Sequence, residues 1–180
     1  MDYWNYLGWD DPHSQDFATD RQKRYSQAFK RRGVYTPQAV VNGSSHFVGS
    51  KSSALSKAVK GGLEKKAGNI GTLSGKKIDS QTVQVSYKLE PSHANLELVV
   101  VEYLNNTDNY VPRGENSGST LSHTNVVQKL KKFGLDSSGS GVVKYQLTKS
   151  PKDSTTGSNG LLVFLQDSKT MEIHLAKSLT

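Results

Sequence analysis

One short run constrains the fold more than any other stretch of the chain: Val34-Tyr35-Thr36-Pro37-Gln38-Ala39-Val40-Val41-Asn42-Gly43. A Thr-Pro step stands directly before an apolar strand, and the strand ends in Asn-Gly. Proline lacks an N–H and fixes φ, so it suits the first residue of a strand and not its interior. An X-Pro bond is also the one kind of peptide bond for which cis carries only a small penalty. Asn-Gly favours the tightest hairpin turn, so Ser45-His46-Phe47-Val48 reads as the returning strand. Gly49-Ser50 then offers a serine N-cap to a helix with Leu55, Ala58, Val59 and Leu63 on one face.

The chain around this unit divides by period. Tyr3, Trp4, Tyr6 and Trp9 crowd the start, and Pro12 breaks it. Ser14 or Asp16 can cap a helix running to about Arg32, with a stripe at Phe17, Tyr25, Ala28 and Phe29 and Gly33 ending it at C′. Beyond the second helix, residues 67–77 are Gly/Ser-rich and read as a connector. From Thr82 the period becomes that of a strand: Val83, Val85, Tyr87 and Leu89 alternate with polar residues. Leu96–Leu104 is more uniformly apolar and reads as a more buried strand. Thr124–Leu130, Val142–Leu147, Leu161–Gln166 and Met171–Ala176 follow, while 105–120 and 148–160 read as polar loops. The expected fold class is α/β plus all-β: helix, β-hairpin and helix over residues 1–66, then an antiparallel β-sandwich-like unit over 78–180.

Composition removes several function classes. No cysteine is present, which excludes disulfides and thiolate metal sites in this chain. No apolar run approaches the roughly eighteen residues of a membrane span. The opening Met-Asp-Tyr-Trp has neither the basic nor the apolar region of a signal peptide, which says nothing of a longer parent. The formal charge of +7 gathers most densely at Arg21, Lys23, Arg24, Lys30, Arg31 and Arg32. A solvated helix face accounts for that block better than nucleic-acid binding, because no base-stacking aromatic ladder accompanies it.

Three constellations could carry chemistry, each with a plainer structural reading. A cis Thr36-Pro37 bond would turn the Thr36 backbone outward to receive an extended peptide; the plain reading is a strand-start proline. Tyr3, Trp4 and Trp9 could line a ligand pocket or could simply be core. Arg113, Glu115, Asn116, His123 and Asn125 form the densest polar set of the β-rich part. Histidine could act there as acid or base, or the set could lock a loop to a strand. His13, His46, His93, His123 and His174 lack metal-ligand spacing. No phosphate loop or nucleophile elbow occurs. No catalytic residue, metal or cofactor is expected.

Asp2-Tyr3-Trp4-Asn5-Tyr6-Leu7-Gly8-Trp9-Asp10-Asp11-Pro12, Arg21-Gln22 with Tyr25, and Tyr35-Thr36-Pro37-Gln38 with Val41-Asn42-Gly43 resemble the bacterial domain-of-unknown-function family 1223. Arg113-Gly114-Glu115-Asn116 with Leu121-Ser122-His123-Thr124-Asn125-Val126-Val127, and Leu165-Gln166-Asp167, are similar to further signatures of it. The resemblance implies an exported thioredoxin-like protein with an added β-rich part, periplasmic or secreted, and a cis bond at Thr36-Pro37. It also implies a first strand, a Cys-x-x-Cys helix start and a second strand ahead of the Asp-Tyr-Trp run. This chain begins at that run, so it resembles a truncated copy whose thiols would lie upstream. Two functions are thus expected: an envelope thiol–disulfide or redox-associated protein, or a non-catalytic module binding an extended peptide, an envelope protein or another ligand.

Overall fold

A computed structural model describes residues 11–65, 70–90, 95–114, 116–148 and 159–179. Half of the architecture follows from one strand. In β5 (Leu96–Tyr110) the run Leu98-Val99-Val100-Val101 is buried at every position. A strand alternates its side chains, so such a run must be covered on both faces. Leu98 and Val100 face the main core with Val85, Tyr87, Tyr145, Val163 and Leu165. Val99 and Val101 face the other way, with Phe164, Leu130, Leu162 and Ile173.

The sheets follow from this. β5 is central in a four-stranded antiparallel sheet of order β6-β5-β8-β9, with β6 Thr120–Gly134, β8 Asn159–Asp167 and β9 Ile173–Leu179. Its inner face packs on a three-stranded sheet, β3-β4-β7, made of Gly71–Lys77, Thr82–Leu89 and Ser140–Gln146. β4 keeps the alternation expected of a strand covered on one face only: Val83, Val85, Tyr87 and Leu89 are buried and Lys88 is exposed.

On the outer face of the four-stranded sheet lie α1 (Asp16–Ala28), the hairpin β1–β2 (Gln38–Val41, Ser45–Val48) and α2 (Ser52–Glu64). Asn42 and Gly43 both have positive φ, +52° and +69°, and Ser44 N–H donates to Val41 O. The register pairs Val41 with Ser45, so the loop is one residue longer than the tightest hairpin.

Several expectations need correction. Residues 71–77 are not connector but strand β3, paired with β4 along its whole length. As an edge strand it buries only Leu73 and spends Gly, Ser and Lys elsewhere, a composition that hides a strand. The loop expected over 105–120 shrinks to 111–119. Asn106–Tyr110 pairs with Thr120–Thr124 as a two-stranded ribbon beyond β8, where backbone bonds hold a mostly polar run of which only Thr107, on β5, is buried. α1 stops at Ala28 rather than near Arg32. Lys30 takes the left-handed C′ position (φ +53°), with Lys30 N–H on Gln27 O and Arg31 N–H on Ser26 O. Gly33 also has positive φ but stands farther along. α2 turns Ala54, Ala58 and Gly62 toward the hairpin and leaves Leu55, Val59 and Leu63 exposed.

Candidate functional site

The peptide bond between Thr36 and Pro37 is cis. Both neighbours on either side of it are anchored. Gln22 Nε2 donates to Tyr35 O at 2.7 Å, tying the chain before the proline to the buried face of α1. Gly49 N–H donates to Pro37 O at 2.8 Å, tying the strand start to the end of β2. The Tyr35 hydroxyl meets His46 Nδ1 at 2.9 Å, His46 stacks on Phe29 at 4.3 Å, and Phe29 stacks on Tyr25 at 5.7 Å. An aromatic column thus clamps the hairpin to the end of α1.

Pairing alternates along an antiparallel strand. Pro37 O faces β2, so the backbone groups of Gln38 and Val40 face the opposite edge. Asn42 O on that edge accepts Ile173 N–H at 2.8 Å. Among the described residues no strand pairs with the edge at Gln38 and Val40. Beside it lies an apolar gap of about 370 Å³. Phe17 and Tyr25 of α1, Thr36 and Val40, and Val101, Leu162 and Phe164 of the sheet form its walls.

One charge enters the gap. Arg21 belongs to the basic block read as a solvated helix face, yet it turns inward. Its guanidinium donates to Gln166 Oε1 and to the Tyr25 hydroxyl, both at 2.9 Å. It lies 5.0 Å from the Tyr25 ring centroid and 5.5 Å from that of Phe164. Burial lowers its pKa from the ordinary value, against the opposing pull of Tyr25. Gln166, fully buried, also donates to Met171 O at 2.6 Å. Arg24 reaches Ser168 O and the Glu97 carboxylate, and Arg31 lies over the Tyr35 ring. The signal available in the sequence was the placement of Arg21 and Gln166 on faces otherwise apolar; neither could be paired before the fold was known.

The remaining candidates separate. Tyr3, Trp4, Trp9 and Glu115 lie outside the described residues. Arg113 and Asn116 are exposed in the turn between β5 and β6, and Asn125 is exposed on β6 with φ +54°. Among the described residues no hydrogen bond or ion pair joins Arg113, Asn116, His123 and Asn125. His123 instead meets His13, ring centroids 5.3 Å apart, and each leaves a buried Nε2 without a partner. Desolvation lowers the His13 pKa, opposed by Asp11 and reinforced by His123. Among the described residues no cluster of metal-ligating side chains occurs, and no helix is long and apolar enough to cross a membrane.

Comparison with known proteins gives two findings. The family model described as protein of unknown function, DUF1223, matches residues 1–166. The X-ray crystal structure of a protein from Agrobacterium tumefaciens, a structural-genomics target, resembles this one with a TM-score of 0.72 and 26% identity. The match covers 99% of this chain and 77% of that one. No curated protein matches the chain.

Proposed function

We propose, from the premise that the chain belongs to the DUF1223 family of proteins of unknown function, that it is a non-catalytic module that receives an extended peptide along β1. The order helix, cis-proline, hairpin, helix supports reading its outer layer as thioredoxin-like. The observation that carries the binding reading is the edge at Gln38 and Val40, unpaired among the described residues and opening on the apolar gap. Strand addition draws affinity from main-chain hydrogen bonds and specificity from pockets for alternate side chains. β1 offers the first and the gap offers the second.

The test is titration with blocked hexapeptides of alternating Val and Ser, followed by calorimetry. Saturable binding is expected, and N-methylation of the edge-facing amides should abolish it. Val127→Trp, at the mouth of the gap, should weaken binding at least about tenfold, or about 1.4 kcal/mol, with an unchanged far-ultraviolet spectrum. Absence of saturable binding, or indifference to N-methylation, would sink the reading.

A second reading is thiol–disulfide exchange in the cell envelope, favoured by the cis-proline beside an open gap. Exchange needs a thiolate, and this chain has no cysteine. The thiols would come from a segment upstream of it. On that reading the 180-residue chain leaves insulin disulfides unreduced, while a longer in-frame product with a Cys-x-x-Cys pair reduces them.

A further inference from the structure

The inner face of β5 carries Leu98, then Val100, then Glu102. The strand's alternation thus points a carboxylate toward the space between the two sheets, and Glu102 is only 3% exposed. Glu102 Oε1 accepts the Tyr145 hydroxyl at 2.6 Å and the Thr148 hydroxyl at 3.1 Å. Thr148 N–H is shared between Oε1 and Oε2, at 3.2 and 3.1 Å. Among the described residues no basic nitrogen lies within 4.0 Å of either oxygen. Lys129 reaches it only through the Thr148 hydroxyl, to which it donates at 3.3 Å. Burial, and then the bond to Glu102, push the Tyr145 phenol above its ordinary value, so it remains a donor.

This carboxylate borders a cavity of about 490 Å³. Val83, Leu147, Leu161 and Leu179 supply apolar wall, and the exposed Lys77, on the same face of β3 as Leu73 and opposite Val83, stands at the opening. Beside Glu102 the β5–β6 register shifts, Glu102 pairing with Lys129 and Tyr103 with Val127, an irregularity of the kind that recurs beside sites. The cavity has the size of a small-molecule pocket, and Ser80, Gln81, Glu102 and Thr148 join the apolar residues in its lining. Among the described residues this carboxylate is fixed by three donors and has no direct ion pair, Lys129 approaching it only through Thr148, so its charge is incompletely compensated. Oε2 receives one shared N–H, and a carboxylate oxygen accepts two. The acceptor end asks for an ammonium, Lys77 asks for an anion, and the apolar wall asks for an apolar body between them.

We propose that this inter-sheet cavity binds a small zwitterion with an apolar side chain, of the class of a free aliphatic or aromatic α-amino acid. Glu102 takes the ammonium and Lys77 the carboxylate. The site lies on the opposite face of the four-stranded sheet from the β1 edge and stands independently of the peptide reading.

Calorimetric titration of the whole chain with leucine, leucinamide and 4-methylpentanoate separates the parts. Leucine should bind saturably at millimolar concentration or tighter, leucinamide more weakly, and 4-methylpentanoate, which has no amine, not at all. Glu102→Gln keeps the shape and removes the charge, and should lower leucine affinity at least about tenfold. If that variant does not fold, the surface variant Lys77→Ala decides. It should lose the preference for leucine over leucinamide while leucinamide binding stays. No saturable binding of leucine or of phenylalanine by the native chain overturns the proposal. So does undiminished binding in a folded Glu102→Gln chain, or an unaltered preference in the Lys77→Ala chain.

Discussion

Gly33 and Gly43 share a left-handed backbone, with φ +87° and +69°, and differ in what surrounds them. A Cβ at Gly33 would meet open space, whereas one at Gly43 would run into the Met171 carbonyl. Gly33→Ala should therefore cost only the conformational term, about 1–2 kcal/mol. Gly43→Ala should cost at least about 2 kcal/mol more, because the hairpin loop must move off the β8–β9 turn beside the Asn42–Ile173 hydrogen bond. Urea midpoints at constant m-value measure the difference, and equal losses would refute the docking role of Gly43. The Asn-Gly pair announced a turn in the sequence. That the turn is pressed against Met171 could not be read there, because the two residues lie more than half the chain apart.

At the scale of elements, α1 is held by polar pins more than by an apolar stripe. Its buried residues are Thr19, Gln22, Tyr25 and Ser26. Gln166 on β8 is the far end of the strongest pin, accepting from Arg21 and donating to Met171 O. Gln166→Leu fills nearly the same volume and leaves the partly buried guanidinium short of an acceptor. Hydrogen bonds to charged groups contribute roughly 1.5–3 kcal/mol, so a loss of that size is expected in chemical unfolding monitored by near-ultraviolet dichroism. Unchanged stability would show that α1 does not depend on this bond. Apolar periodicity marked the place of the helix; its stripe residue Phe17 borders the gap, while Tyr25 is buried. Strand ends were legible only where an apolar face changed. β3 and the β5–β6 ribbon escaped notice because backbone pairing held them without apolar side chains to signal it.

The molecule as a whole is unevenly secured. Val85, Leu98, Val99, Val100, Val163 and Leu165 are completely buried, all in β4, β5 and β8. α2 buries no residue, and its Leu63 is 82% exposed. Amide hydrogen exchange should follow that division. The centres of β5 and β8 should exchange slowest, by global unfolding, while α2 and the β1–β2 hairpin open locally and exchange much sooner. Equal protection of α2 and β5 would contradict it.

What the sequence determined by itself was what local chemistry can specify. Pro37 and Asn42-Gly43 bracket a short strand, the alternation from Thr82 marks a sheet covered on one face, and the unbroken apolar run of β5 requires cover on both. The tertiary structure alone decided the partners. A partly buried Arg21, or a buried Glu102 or Gln166, is tolerable only where its own donors and acceptors are met. Those partners come from residues 4 to 145 positions away, brought close by sheet pairing that no local pattern encodes.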